Sequence, residues 1–174
     1  MKTTTRCTST NPRRLPSLAL LLTTVILLAF VPQSTHAGDQ VPFKASFNTQ
    51  FQSVLEFPFL HLTVTGQGNA SHLGATTAVT TDQLVNVLDG SATATYTLTG
   101  ANGDTVILAL VFQATNIPGG VTFAGTYAVA GGTGRFAGAT GSGSLEGSAI
   151  FLDESSGVGG FTVAGTISSP GSLK

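Results

Sequence analysis

Side chains that could do acid–base chemistry are few in this sequence and lie far apart. Glu56 and Glu146 each have apolar neighbours, where burial would raise the pKa of a carboxyl group toward the range of a general acid or base. The alternative is that both are ordinary carboxylates on the solvent side of a strand. The sequence contains no G-x-S-x-G motif, no phosphate-binding loop and no usable triad order. No catalytic residue is therefore assigned.

Two histidines, His61 and His72, follow residue 38. Neither belongs to an HxH or HxxxH pair, and no cysteine lies beyond Cys7, although metal ligands are commonly closely spaced. We predict no metal site and interpret both histidines as hydrogen-bonded structural residues. His72 stays a ligand-binding candidate because of the segment that contains it, described below.

Three more side chains could contact a ligand. Arg135 is the only arginine beyond residue 38, and its planar guanidinium could clamp an anion. The favoured alternative is that it bonds turn carbonyls or pairs with a carboxylate such as Glu146 or Asp153. Tyr96 and Tyr127 lie on the bulkier side of their alternating runs, so each either points its hydroxyl into a barrel lumen or fills the core. The ligand-binding candidates are Tyr96, Tyr127, Arg135, His72, Glu56 and Glu146.

Residues 132–137, GTGRFA, match the G-x-G-x-x-G/A pattern of dinucleotide-binding sites, and Asp153 lies about twenty residues further on. That pattern requires a helix to begin there, because the helix N-terminus holds the pyrophosphate. Gly138, Gly141, Gly143 and Gly147 disfavour a helix, at roughly 1 kcal/mol each relative to alanine. We therefore predict no nucleotide and no other cofactor.

The first 37 residues differ in composition from the rest. Four basic residues and no acid precede an apolar run at 17–31, and a small-x-Ala site ends at Ala37. This layout predicts a signal peptide of residues 1–37, cleaved between Ala37 and Gly38, with export to the periplasm or the cell exterior. The rival is an uncleaved membrane anchor, but the run is shorter than the ~20 residues that span a bilayer. We expect no membrane association after cleavage.

Residues 38–174 form one domain by length, with three Lys and Arg against eight Asp and Glu, a net charge of −5. So acidic a domain cannot neutralise a phosphate backbone, which excludes nucleic acid as a partner. All 22 glycines lie here, inside and between apolar runs, and indicate bulges, tight turns and barrel corners. Asn69 begins an N-glycosylation sequon, which matters only in a eukaryotic secretory pathway.

Alternating apolar and polar residues predict strands along this domain. The clearest run is 91–99, in which alanine, tyrosine and leucine alternate with serine and threonine. Residues 106–112 are apolar on both sides, so both faces of that strand should be covered. Residues 82–90 fit either a helical turn or extended chain. Eight such segments linked by short turns predict an all-β up-and-down barrel or a sandwich.

The most distinctive stretch is a glycine-dense turn at residues 131–141, GGTGRFAGATG, with an alternating run on each side. Glycines at this density would supply positive φ angles or close backbone approach between two strands. The defining glycines are Gly131, Gly132, Gly134, Gly138 and Gly141.

Together with residues 127–130, YAVA, this turn resembles the signature turn of allene oxide cyclase and dirigent-type barrels, including secreted bacterial proteins that share the barrel. Residues 68–74, GNASHLG, resemble a G-x-A-[ST]-H-L-G segment of those bacterial relatives. The resemblance implies an eight-stranded antiparallel, calycin-like barrel in residues 38–174. It carries no activity with it.

Three functions stay open for such a barrel. It could bind a small apolar molecule in its interior. It could be a cavity enzyme, either an allene oxide cyclase-like isomerase or a dirigent-like director of coupling. It could also be an extracellular scaffold that forms homo-oligomers through the apolar outer side of residues 106–112. The cavity residues of the cyclases and dirigent proteins cannot be matched here one by one, so binding or scaffolding is favoured over catalysis.

Overall fold

The computed structural model describes residues 39–171, which form a closed barrel of eight antiparallel strands. Each strand pairs with its neighbours in sequence, and β1 pairs with β8 to close the sheet. This confirms the predicted all-β up-and-down barrel. The predicted signal peptide and its cleavage position at Ala37 and Gly38 lie outside the described residues. The strands are β1 Gln40–Glu56, β2 Phe59–Ala70, β3 Gly74–Asn86, β4 Ser91–Gly100, β5 Thr105–Ile117, β6 Gly120–Gly132, β7 Ser142–Phe151 and β8 Ser156–Ser168.

Side chains alternate along each strand, so that every second side chain points into the barrel interior. On β4, Tyr96 and Leu98 are buried while Thr95 and Thr97 between them are exposed, as the period of two requires. The same alternation buries the phenylalanines of β1 and the inner residues of β6. Residues 82–86 continue β3 and are followed by a turn, so of the two conformations open for this segment the extended one is observed.

The outer face of β5 differs from its prediction. Both faces of residues 106–112 were expected to be covered, yet Val111 is 61% exposed in the single chain and Ala109 is exposed beside it. No other element of the barrel among residues 39–171 packs over this side of β5, so the cover expected there is not supplied by the chain itself.

Large inward aromatic rings lie opposite inward glycines across the sheet. A Cβ built on Gly143 would lie 2.6 Å from Cε1 of Tyr127, and one built on Gly147 would lie 2.5 Å from Cζ of Phe123. Each would also meet a backbone carbonyl oxygen of β8 more closely still, that of Ala164 or Gly160, so these glycines accommodate both a ring and a close backbone approach. The cross-strand pairs are Phe43 with Gly165, Phe51 with Gly157, Phe123 with Gly147 and Tyr127 with Gly143. Much of the unusual glycine content of β7 and β8 is thus explained by space for rings inside a narrow barrel.

The two ends of the barrel are built differently. At one end, formed by the connections 71–73, 101–104 and 133–141, Leu73, Phe136 and Ala139 are buried and plug the interior. We call this the closed end. At the opposite end, the connections 57–58, 87–90, 118–119 and 152–155 carry exposed apolar side chains instead. We call this the open end.

The glycine turn lies at the closed end and contains the only helix among residues 39–171, the three-residue 3-10 helix Gly134–Phe136. Gly134 and Gly138 adopt φ angles of +60° and +73°, which favour glycine, and Gly131 and Gly141 also have positive φ. Gly132 instead lies so close to the carbonyl of Thr105 that a side chain would not fit. So short a helix does not give the N-terminus that a dinucleotide site needs, and within the described residues no helix has the length and apolar character to cross a membrane.

Candidate ligand-binding site

The barrel encloses a cavity of about 90 Å³ in the half nearer the open end. Its walls come from the inward side chains of successive strands, and none of the described residues that line it is charged. Apolar side chains make up most of the lining, which consists of Phe51, Leu60, Leu62, Val64, Val85, Leu110, Phe112, Ala114, Val121, Phe123, Leu145, Ala149, Phe151 and Phe161, with Thr49, Gln83, Tyr96 and Ser148.

Residue size explains why the cavity lies in this half. Towards the closed end, the rings of Phe43 and Phe136 and the side chain of Leu98 are fully buried and fill the interior. Towards the open end, the inward residues Ala114 on β5 and Ala149 on β7 are small, so the surrounding rings do not meet at the centre. The cavity therefore lies where these two inward side chains are short.

One polar pair, buried Tyr96 and half-buried Gln83, faces this apolar space. The hydroxyl of Tyr96, whose side chain is 4% exposed, donates a hydrogen bond to Oε1 of Gln83 at 2.9 Å. Burial raises the pKa of Tyr96, because removing the phenolate from water costs more than removing the neutral phenol. The ring of Phe161 packs edge-on against Tyr96, with 5.2 Å between ring centroids. Tyr96 therefore stays neutral and oriented at the cavity wall.

Gln83 is a site residue that the sequence pattern missed. Buried Thr76, Ala78 and Thr80 put the even positions of β3 inside the barrel, which would place Gln83 outside. The pairing with β2 shifts between Thr80 and Gln83, where two residues of β3 oppose one of β2. This β-bulge reverses the parity, so that Gln83 and Val85 point inward.

Tyr127 does not line the cavity. It is buried in the closed half, where its ring lies 6.1 Å from that of Phe43. Its hydroxyl donates to the carbonyl of Thr166 at 3.5 Å, and burial raises its pKa. Of the two orientations open for the tyrosines, Tyr96 lines the lumen and Tyr127 fills the core.

Arg135 lies at the closed end, away from the cavity. Its Nε donates to Oδ2 of Asp104 at 2.8 Å, and Nη2 donates to the carbonyl of His72 at 3.0 Å. The carboxylate partner is therefore Asp104, and the suggestion of Glu146 or Asp153 is wrong. The hydrogen bond from Arg135 holds the pKa of Asp104 below its ordinary value. Within the described residues, Arg135 links the glycine turn to the two neighbouring connections at this end of the barrel.

His72 belongs to the same end of the barrel. It lies in the turn between β2 and β3 with a φ of +66°, and its Nε2 donates to the carbonyl of Pro42 at 3.1 Å. The hydrogen-bonded structural role predicted for His72 agrees with this geometry. The likeness of residues 68–74 to a known segment thus falls on a turn that helps to close the barrel.

Glu56 and Glu146 both lie outside the barrel. The side chain of Glu56 is 73% exposed, with Oε2 3.7 Å from Nε2 of His61. Glu146 is exposed on the outer face of β7 in a shallow polar groove. Neither carboxyl is buried, so the burial that would suit a general acid is not observed, and the solvent-exposed alternative describes both. Among residues 39–171, no group of three or more His, Asp or Glu side chains is arranged to hold a metal ion.

The open end carries a ring of exposed apolar side chains around the cavity. Phe151 is shared between the two, because it lines the cavity, is 41% exposed and packs edge-on against Phe51 with 5.7 Å between centroids. We call this ring the apolar rim. Its members are Leu55, Phe57, Phe59, Val87, Leu88, Ile117, Phe151 and Leu152.

Comparison with known proteins assigns neither a family nor an activity to this chain. No protein-family model matches the chain, and no curated protein matches it. Among solved structures, the pterocarpan synthase dirigent protein GePTS1 is similar at 14% sequence identity and a TM-score of 0.48, over 78% of this chain and 90% of that one. A likeness at this level assigns no activity to the chain, whose closed barrel is established by its own strand pairings.

Proposed function

We propose that this chain is an exported binding module, without catalytic activity, whose barrel takes up a small apolar molecule at the open end. The observation that supports this most directly is the cavity of about 90 Å³, with apolar walls and no charged lining residue. An apolar pocket with few polar groups is the usual form of a small-molecule site. The apolar rim extends the same character to the surface, where a ligand would enter.

The size of the cavity limits the occupant. An engineered apolar cavity of ~150 Å³ binds benzene, whereas drug-sized ligands use pockets of roughly 300–1,000 Å³. At about 90 Å³, this cavity is smaller than the one that binds benzene. A one-ring molecule such as toluene therefore requires Phe151, which is exposed at the mouth, to turn away.

Binding of toluene tests the proposal. We expect wild-type protein to bind toluene at millimolar concentration or tighter, measured by chemical-shift changes of the cavity residues and by a rise in melting temperature. Ala114→Leu fills the cavity and should weaken binding at least about tenfold, a loss of about 1.4 kcal/mol. Ala109→Leu is the matched control, because Ala109 lies on the same strand with its side chain exposed outside the barrel.

Two results would contradict the proposal. The first is that toluene fails to bind the wild type. The second is that Ala114→Leu binds as well as Ala109→Leu, which would place the ligand elsewhere. The enzymatic alternative of cyclase or dirigent type has its own test: turnover of unsaturated epoxides or phenoxy radicals above background by the protein would exclude a purely binding role.

A scaffold role is the second candidate, and one observation favours it. Val111 is 61% exposed on the outer face of β5, where an apolar side chain gains stability from a covering partner. A second copy of the chain could supply that cover. Sedimentation velocity of the protein would show dimers or larger species that Val111→Gln reduces, and a monomer at all concentrations would exclude this candidate.

A further inference from the structure

We infer that the cavity selects neutral, ring-sized molecules that carry a hydrogen-bond acceptor oxygen, and that Gln83 recognises this oxygen. The inference rests on the proposed function and adds to it the class of ligand. Its basis is a hydrogen-bonded pair of polar side chains in the wall of the apolar cavity, Gln83 on β3 and Tyr96 on β4.

The other two polar lining residues are placed differently from each other. Ser148 is exposed on the outward parity of β7, whereas Thr49 lies on the inward parity of β1 and also borders a groove on the outside of the barrel. Gln83 lies opposite inward Leu62, and Tyr96 lies opposite inward Leu108. The hydrogen-bonded polar groups of the cavity wall are therefore one amide and one phenol, beside the hydroxyl of Thr49.

Hydrogen-bond capacity identifies the free donor. The single proton of the Tyr96 hydroxyl is used, because it goes to Oε1 of Gln83 at 2.9 Å. That bond leaves the amide nitrogen, Nε2, with two N–H groups and no hydrogen bond to any described residue. Nε2 is also not sealed away, because no fully buried side-chain nitrogen or oxygen within residues 39–171 lacks a partner. Nε2 therefore keeps some accessible surface, and Gln83 lines the cavity.

Tyr96 holds one end of this amide. The ring of Tyr96 is buried against Phe161, and its hydroxyl meets Oε1 of Gln83 at 2.9 Å. With Oε1 bound there, Nε2 points away from Tyr96. Tyr96 is therefore a positioning residue, and Gln83 makes the contact.

The charge and shape of the site define the rest of the ligand. With no charged residue in the lining, a carboxylate or an ammonium group would be buried without a partner, which is strongly unfavourable. Rings of Phe112 and Phe123, 5.4 Å apart, and of Phe161 provide flat apolar walls. An aromatic ether, ketone or aldehyde fits this combination.

Anisole and ethylbenzene test the inference as a matched pair, since they differ by an ether oxygen in place of a methylene group. We expect the wild type to bind anisole about tenfold more tightly than ethylbenzene, the factor given by one neutral hydrogen bond of ordinary strength. Gln83→Met keeps the length of the side chain and should abolish the preference while leaving ethylbenzene affinity within about twofold. Gln67→Met, on the exposed face of β2, is the control and should keep the preference.

Tyr96→Phe provides a second variant should Gln83→Met fail to fold. It keeps the ring and frees the amide, so the preference for anisole should fall. Equal affinity of the wild type for both ligands would overturn this inference and leave the proposed function standing. Failure of both ligands to bind would overturn both. A preference that survives in Gln83→Met and in Tyr96→Phe would also overturn the inference.

Discussion

Arg135 joins four segments of the closed end through its own atoms. The guanidinium reaches Asp104, before β5, and the carbonyl of His72, between β2 and β3. The backbone carbonyl of Arg135 accepts a hydrogen bond from Gly171, beyond β8. The guanidinium carbon also lies 5.7 Å from the centroid of the Phe136 ring, which plugs the barrel. The role of the single described arginine is thus to hold the glycine turn against the barrel end.

The Arg135–Asp104 pair makes stability depend on pH. Because the pKa of Asp104 is lowered in the folded protein, chiefly by the hydrogen bond from Arg135, its stabilising effect is present above the unfolded pKa of about 4 and is lost as the pH falls through the folded value. We expect Asp104→Asn to lower the urea midpoint at pH 7, and the difference from wild type to shrink at pH 2. Glu154→Gln, an exposed carboxylate, is the control and should show neither effect.

An equal loss at both pH values would mean that the Asn variant disturbs packing and that the charged pair has no part in stability. The partner of Arg135 could not be predicted from sequence. The two residues are separated by 31 positions and belong to different connections, so only the closure of the barrel brings them together. The residue types suggested that Arg135 would pair with a carboxylate, but only the folded structure identifies that carboxylate as Asp104.

At the scale of strands, the alternating pattern succeeded where pairing is regular. In residues 91–99 it separated alanine, tyrosine and leucine from serine and threonine, and the first set is buried, because this run has an unbroken period of two. It failed at Gln83, since a bulge inserts one residue and no turn-forming glycine or proline marks the position. The alternating pattern therefore could not predict that Gln83 lines the candidate site.

Pairing of rings with glycines makes a prediction about β7. Gly143→Ala places a methyl group against the backbone carbonyl oxygen of Ala164 and within 2.6 Å of Cε1 of Tyr127, in a part of the core with no cavity to receive it. We expect a loss of ~1–3 kcal/mol in the free energy of unfolding, the usual cost of overpacking, measured by urea denaturation. Ser142→Ala, one residue earlier and exposed, should stay within about 0.5 kcal/mol of wild type.

If Gly143→Ala were as stable as Ser142→Ala, neither the ring of Tyr127 nor the nearby carbonyl of Ala164 would require glycine at this position. The high glycine content was visible in the sequence, and bulges, turns and corners were expected from it. The pairing of glycines with aromatic rings could not be predicted, because it depends on the register between strands that are far apart in the chain. Phe51 on β1 and Gly157 on β8 are an example.

At the scale of the whole molecule, charge and apolar surface are distributed unevenly along the barrel axis. The two cations of the described residues, Lys44 and Arg135, lie towards the closed end. The open end carries the apolar rim and, in or beside the same connections, four carboxylates and no cation. These carboxylates are Glu56, Asp89, Asp153 and Glu154. Sequence composition gave the net charge, but its separation along the axis follows from which connections share an end.

This arrangement predicts how the open end behaves towards a second copy. Apolar side chains such as Leu88 and Leu152, each about two-thirds exposed at 68% and 67%, favour contact between two rims. The surrounding carboxylates oppose it, and their repulsion is screened as ionic strength rises, from a Debye length of about 10 Å at 0.1 M to about 3 Å at 1 M salt. Association through the rim should therefore be weak in dilute salt and stronger in 1 M sodium chloride.

Sedimentation velocity across a salt series measures this directly. The double variant Leu88→Gln and Leu152→Gln should remain monomeric in 1 M salt, whereas Val111→Gln, on the side of the barrel, should associate like the wild type. The reverse result, with Val111→Gln monomeric and the rim variant associating, would locate the contact on β5 and favour the scaffold role. A wild type that stays monomeric throughout would leave the rim free for the entry of ligand, because the same apolar side chains cannot both cover a second copy and border an accessible cavity.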